Sequence, residues 1–229
     1  MPEEFEPPYL HPDYRSSVLR APARPLVRLP EEWFHATSGP AFGRVPLAPG
    51  DADLTGGHRG EPLGERIIIT GRVLDGDGQP LRATLVEVWQ ANSAGRYADP
   101  ADDHPAPLDP NFTGAGRCLT DGDGRYRFVT IKPGAYPWGN HPNAWRPAHV
   151  HFSLFGPCLG SRLVTQMYFP GDPLIPLDPV LQAIPDPRGR ALLVADFDLE
   201  QTRPGWALAY RWDIVLRGSA ATPREGESR

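Results

Sequence analysis

A chain of 229 residues can bury one large hydrophobic core or at most two, and its net charge of −5, with no run of Lys or Arg, excludes a surface that tracks nucleic-acid phosphates. No apolar stretch approaches the roughly 20 residues a membrane helix needs, and the acidic start Met1-Pro2-Glu3-Glu4-Phe5-Glu6 lacks the apolar segment of a secretory signal. Cys118 and Cys158 are too few for a disulfide framework, so the expectation is a cytoplasmic protein with free thiols and no membrane partner.

The 29 prolines and 24 glycines are dispersed and form no repeat, which predicts many short elements joined by rigid turns and long ordered loops. Residues 1–62 lack sustained periodicity and read as an extended arm lying on the domain or on a partner; Tyr9, Tyr14, Trp33 and Phe34 argue that part of it packs. From Glu65 the pattern changes. Residues 66–74 read as a strand, the Asp75-Gly76-Asp77-Gly78 tract as a turn, and 83–90 alternate as a second strand. Further strands are expected at 125–130, 148–155, 163–169 and 207–216, with short helices at 179–184 and 188–194. Residues 218–229 read as a polar, frayed tail. The fold expectation is all-β: one β-sandwich of mixed-topology strands with long ordered loops, an extended N-terminal arm and few short helices, its catalytic domain spanning 63–218 and a polar tail 219–229. The tracts at 75–78 and 121–124 resemble calcium loops, but the sixth loop position holds Pro80 in one and Tyr126 in the other, so hairpin turns fit better.

The chemistry-bearing motif is Arg146-Pro147-Ala148-His149-Val150-His151. Strand side chains alternate with period 2, so both imidazoles lie on one face and can grip one metal ion. Tyr136, held between Ala135 and Pro137, and Tyr97, after Gly95-Arg96, are candidates to add phenolates. Such a set points first to a hard, oxidised metal, ferric iron above all. Other metals fit less well: no Glu follows the histidines at cupin spacing, no carboxylate is placed for a facial triad, and the cysteines lack zinc spacing. The alternative reading of each residue is structural: hydrogen-bonded histidines, loop tyrosines and, for Arg146, a surface ion pair.

Several tracts resemble the intradiol ring-cleaving dioxygenases, and within them the iron-bearing β subunits acting on 3,4-dihydroxybenzoate (protocatechuate). They include Thr84-Leu85-Val86-Glu87-Val88-Trp89-Gln90-Ala91-Asn92, Gly95-Arg96-Tyr97, Thr130-Ile131-Lys132-Pro133-Gly134, Tyr136-Pro137-Trp138, Trp145-Arg146-Pro147-Ala148-His149-Val150-His151-Phe152 and Gly171-Asp172-Pro173-Leu174-Ile175-Pro176. The resemblance covers roughly residues 8–218. It implies one Fe(III) per β chain, ligated by Tyr97, Tyr136, His149 and His151, with Tyr136 exchangeable. It further implies that Arg146, Gln166 and Tyr168 lie close to the substrate, that Trp138 and Tyr14 line the aromatic ring and its carboxylate, and that Val180 forms an apolar wall. The implied activity is O₂-dependent cleavage of protocatechuate to 3-carboxy-cis,cis-muconate, a step of aromatic catabolism in the β-ketoadipate pathway. The implied partner is a related α subunit in an αβ hetero-oligomer. A ferric ion with two phenolates and one hydroxide is neutral, and a doubly deprotonated catechol replacing hydroxide and Tyr136 leaves it neutral. Charge thus never accumulates in a low-dielectric pocket. The alternatives are a catechol or hydroxyquinol 1,2-dioxygenase and, outside enzymes, a transthyretin-like β-sandwich binding module.

Overall fold

The structure is a computed structural model that describes residues 5–25, 47–156 and 162–225. Trp33, Phe34 and Cys158 lie outside the described residues. Two sheets face one another. In the first, β1 (Arg66–Leu74) is flanked by β4 (Arg125–Ile131), antiparallel from Arg66↔Ile131 to Arg72↔Arg125. Along its other side β10 (Leu208–Arg211) and β11 (Ile214–Val215) run parallel to successive parts of β1, and β9 (Asp196–Phe197) joins β10. The second sheet is wholly antiparallel, in the order β3 (Ala115–Leu119), β2 (Leu85–Trp89), β7 (His149–Phe155), β8 (Leu163–Tyr168). Mixed pairing in one sheet and antiparallel pairing in the other give the expected mixed-topology sandwich.

The core is built from the inward halves of the alternating strands. Ile67, Ile69, Val73 and Phe128 come from the first sheet; Val86, Val88, Val150, Phe152, Leu154 and Met167 come from the second. β-branched residues favour such half-buried pleated surfaces. The Phe152 ring sits 4.9 Å from Trp212, 5.7 Å from Tyr126 and 6.4 Å from Phe128, all steeply inclined as aromatic quadrupoles prefer. Truncating such a ring to alanine would cost about 3–5 kcal/mol. Phe152 adjoins His151, so core packing also fixes the register of the histidine strand.

The two Asp-Gly-Asp-Gly tracts are turns. Asp75 Oδ1 accepts from the Asp77 and Gln79 amides at 2.9 and 2.8 Å, and Asp121 Oδ1 from those of Asp123 and Arg125 at 2.9 and 2.8 Å. The 207–216 stretch is two strands, not one. At the break Asp213 accepts from the Arg72 amide (2.9 Å) and its guanidinium (3.0 Å), so a side chain replaces a ladder bond. The short helices are α2 (Pro179–Gln182) and α3 (Pro187–Ala191), each with an Asp N-cap before Pro. The N-terminal segment carries one more, α1 (Arg15–Arg20), too short to persist alone. It docks through Asn140, whose Oδ1 accepts from the Arg15 amide (2.7 Å) and whose Nδ2 donates to the Asp13 carbonyl (2.8 Å). A miniature ladder, β5 (Tyr136–Pro137) with β6 (Trp145–Arg146), pairs Tyr136 opposite Arg146.

The described part of the C-terminal stretch, up to Glu225, departs from the expectation of fraying. Thr222 N–H donates to the Val215 carbonyl (2.8 Å), the Thr165 hydroxyl to the Pro223 carbonyl (2.7 Å) and Glu225 N–H to the Val164 carbonyl (2.8 Å). Ala221 and Thr222 are buried. The free edge of β8 supplies backbone partners that a polar sequence does not advertise.

Candidate metal centre

Val150, Phe152 and Leu154 point into the sandwich, so His149 and His151 stand on the outer face of the second sheet. Register then chooses their neighbours. His151 lies opposite Trp89 on one side and Gln166 on the other, and His149 lies opposite Tyr168. Tyr97 arrives on the loop after β2 and Tyr136 on β5. These two loops touch back to back because Gly95 and Gly134 permit it. A Cβ on Gly95 would overlap the Ala135 carbonyl oxygen, and one on Gly134 the Ser93 carbonyl oxygen; Gly95 also has φ +78°. Asn92 closes the turn, its Oδ1 accepting from the Ala94 and Arg96 amides at 2.9 Å each. The Tyr97 amide donates to Asp102 at 2.8 Å.

The result is a chain of four donor atoms. Tyr136 Oη lies 3.2 Å from His149 Nε2, which lies 3.2 Å from His151 Nε2, which lies 3.2 Å from Tyr97 Oη. The outer ring nitrogens fix the tautomers. His149 Nδ1 is 2.7 Å from the Pro147 carbonyl and His151 Nδ1 is 3.0 Å from Glu225 Oε2, both acceptors, so each Nδ1 carries the proton. Two unprotonated Nε2 atoms therefore face each other, both with a lone pair available to a metal. A first-row metal about 2.1 Å from each donor sets neighbouring donors about 3.0 Å apart at right angles and about 3.4 Å apart at the tetrahedral angle, and the observed spacing lies between. The residues fit a metal.

Electrostatics agrees. Burial, then the charges of Arg146 and His151, hold His149 well below the usual imidazole range, so it stays neutral as a ligand must. Burial, then Tyr136, pushes the Tyr97 phenol well above its ordinary value; only a strong cation would ionise it at neutral pH. Among the described residues no group of three or more His, Cys, Asp or Glu could hold a metal ion. The four donor atoms that meet here are two imidazole nitrogens and two phenol oxygens. Cys118 pairs with Val86 and packs against the core, on the opposite face of the sheet from the histidines.

Arg146 is buried beside this cluster. Its Nη1 is 3.2 Å from His149 Nε2, and its Nη2 donates to Gln166 Oε1 (2.6 Å), Tyr168 Oη (2.9 Å) and Asp178 Oδ2 (2.8 Å). Burial alone would depress the guanidinium, but the Asp178 carboxylate paired with it overrides that and it remains charged. Tyr168 donates to Asp178 Oδ2 at 2.7 Å, and burial followed by Asp178 keeps this phenol protonated. Trp138 lies under Arg146, 5.6 Å from the guanidinium carbon to the ring, and the Tyr14 ring is 5.6 Å from Trp138. The N-terminal segment therefore brings Tyr14 beside Trp138. Val180 is buried on α2, its amide on Asp178 Oδ1 at 3.3 Å, one residue pair removed from Arg146.

Three participants escaped the sequence reading. Asp178, fully buried, anchors Arg146, 32 residues away in the chain, with no local signal for the pairing. Trp89 stacks on His151 at 4.8 Å with planes 3° apart, legible only from register. Glu225 comes from the tail, 74 residues beyond His151, with no local signal at all.

A β-sandwich bearing this His₂Tyr₂ cluster on its outer face points to a metal-dependent oxygenase, and comparison with known proteins sharpens that class. Residues 37–218 match the family described as "Dioxygenase", and residues 7–32 match "Protocatechuate 3,4-dioxygenase beta subunit N terminal". The protocatechuate 3,4-dioxygenase β chain of Burkholderia cepacia is 62% identical over 221 residues, 96% of this chain and 93% of that one. The α chain of the Pseudomonas putida enzyme is 32% identical over 69% of this chain and 75% of its own. Among solved structures, 3-chlorocatechol 1,2-dioxygenase from Rhodococcus opacus superposes with TM-score 0.56 at 25% identity, covering 77% of this chain and 69% of that one. The chain belongs to the intradiol dioxygenases, in the family of protocatechuate 3,4-dioxygenase β subunits. Among the described residues no helix is long and apolar enough to cross a membrane.

Proposed function

We propose that this chain holds one ferric ion through Tyr97, Tyr136, His149 and His151 and, with O₂, opens the ring of protocatechuate between its two hydroxylated carbons to give 3-carboxy-cis,cis-muconate. The observation that carries the reading is the pair of bare Nε2 atoms 3.2 Å apart, each flanked by a phenol at the same distance. When bound, the ferric ion supplies Lewis acidity that binds the catechol oxygens and makes the ring carbon nucleophilic toward O₂. The protein residues do the rest. Tyr136 sits on a two-residue ladder and not in the sheet, so its phenol can swing away and accept a catechol proton at Oη. Arg146, charged and buried, offers a fixed cation where negative charge develops on the ring. Trp138 and Tyr14 form the wall against which the aromatic ring rests, with the Tyr14 hydroxyl as a partner for the carboxylate. Gln166 and Tyr168 hold the guanidinium in place from the neighbouring strand.

The substrate choice is supported by the match of residues 7–32, which contains Tyr14, to the N-terminal region of protocatechuate 3,4-dioxygenase β subunits. The α-chain relative supports assembly with a related α subunit. O₂ uptake by the purified chain with its α partner, on protocatechuate, catechol and hydroxyquinol, tests both. Protocatechuate should have the highest kcat/KM, with both atoms of ¹⁸O₂ in the product. A higher kcat/KM on catechol or hydroxyquinol would transfer the chain to the 1,2-dioxygenase reading, and no uptake on any of the three would remove the enzymatic one.

A further inference from the structure

We propose that Glu225 is a positioning residue of the metal centre: its carboxylate fixes the orientation and donor strength of His151 from the C-terminal segment. This rests on the reading of His151 as a ligand given above. The two histidines are held differently. His149 Nδ1 donates to a neutral carbonyl, that of Pro147, at 2.7 Å, whereas His151 Nδ1 faces a carboxylate at 3.0 Å. Trp89, stacked 3° from parallel, fixes the plane of the His151 ring but not which of its edges faces inward. A ring flip within that plane would put Cδ2 in place of Nδ1 and Cε1 in place of Nε2, leaving no nitrogen lone pair toward Tyr97 and His149. The carboxylate accepts only from an N–H, so it selects the orientation with a bare Nε2 toward Tyr97 and His149.

The carboxylate is delivered by a segment whose every step is tied. Thr222 Oγ1 accepts from the Val215 amide (2.9 Å), the Pro223 carbonyl accepts from Thr165 (2.7 Å), and the Glu225 amide donates to Val164 (2.8 Å). Arg224 between them meets Glu6, its amide 3.3 Å and its guanidinium 3.6 Å from that carboxylate, so the N-terminal segment clamps the C-terminal one. The Glu225 side chain is only 17% exposed. Burying a carboxylate is costly unless it is hydrogen-bonded, and its side chain faces the N–H of His151 Nδ1. A hydrogen-bonded carboxylate also makes the imidazole a stronger donor, which favours the ferric over the ferrous state.

The test uses the iron-loaded protein with its α partner. E225Q keeps the size of the side chain and removes its charge. It should release iron to a chelator about 10–100-fold faster and move the phenolate-to-iron absorption to longer wavelength, because a weaker imidazole leaves the iron more electron-poor. E225D, which keeps the charge on a shorter arm, should recover part of that band position. An E225Q protein with the wild-type release rate and the wild-type band overturns the inference. So does an E225D protein that restores the unfolding temperature of the metal-free chain but none of the band, since that pattern marks a purely structural side chain. Failure of the metal-site reading looks different: the wild-type protein itself would then hold no iron and show no band.

Discussion

Replacing Asp178 by asparagine should loosen the fold and displace the charged group beside the metal cluster. Asp178 is fully buried and uses both oxygens: Oδ1 accepts from Arg146 Nε (3.2 Å) and the Val180 amide (3.3 Å), Oδ2 from Arg146 Nη2 (2.8 Å) and Tyr168 Oη (2.7 Å). Asparagine can retain the helix cap through Oδ1, but an amide NH₂ at the Oδ2 position meets two donors and leaves the buried guanidinium without its counter-charge. Breaking one side of a buried ion pair costs about 3–5 kcal/mol. At about 2–4 °C per kcal/mol for a domain of this size, the unfolding temperature should fall by roughly 6–20 °C. Arg146 would also shift relative to His149, and a displacement of about 1 Å near reacting atoms can cost about 100-fold in rate. Thermal unfolding of the metal-free protein and kcat/KM on protocatechuate read the two effects separately. An unfolding temperature within about 2 °C of wild type together with unchanged kcat/KM would refute the role of Asp178 as the anchor of Arg146.

Gly95→Ala should drive apart the loops bearing Tyr97 and Tyr136. The left-handed backbone costs about 1–2 kcal/mol for a residue with a Cβ, before the collision with the Ala135 carbonyl. A lower unfolding temperature and lower iron content are expected, and wild-type values of both would show that the glycine contact is dispensable. Burial pushes the Cys118 thiol up to about 11. At pH 8 about 0.1% of it is then thiolate, against about a tenth of an unburied thiol near 9.0, so in a Cys158→Ser background alkylation should run about 100-fold slower than for a free cysteine. Labelling at the free-thiol rate would show that Cys118 is not buried as described. The sign of the linked stability follows: a thiol raised on folding stabilises below the unfolded value near 9.0, and that contribution is lost as pH rises toward about 11.

Sequence patterning carried the strands whose two faces differ in polarity. β7, with His149-Val150-His151-Phe152, was legible because polar and apolar side chains alternate along it; β1, buried on both faces at Ile67-Ile68-Ile69, was legible instead as a β-branched run. β3 (Ala115–Leu119) was not. Its residues are small or polar apart from Leu119, and partly exposed, and it is a strand because β2 offers an edge. The same holds for the tail, whose order comes from the free edge of β8. The cluster itself was half legible. Period 2 put the two imidazoles together, but the approach of Tyr97 to Tyr136 depends on two glycines and an asparagine turn acting across chain segments. Glu225 and Asp178 reach the centre over long sequence separations, where neither spacing nor composition holds information about contact.

Resonance Raman spectroscopy of the iron-loaded protein, excited within its visible phenolate-to-iron absorption, addresses the four-ligand centre most directly. The wild-type protein should show two sets of iron-phenolate vibrations, with one set lost in Tyr97→Phe and the other in Tyr136→Phe. Wild-type vibrations surviving unchanged in both variants would contradict the centre described here.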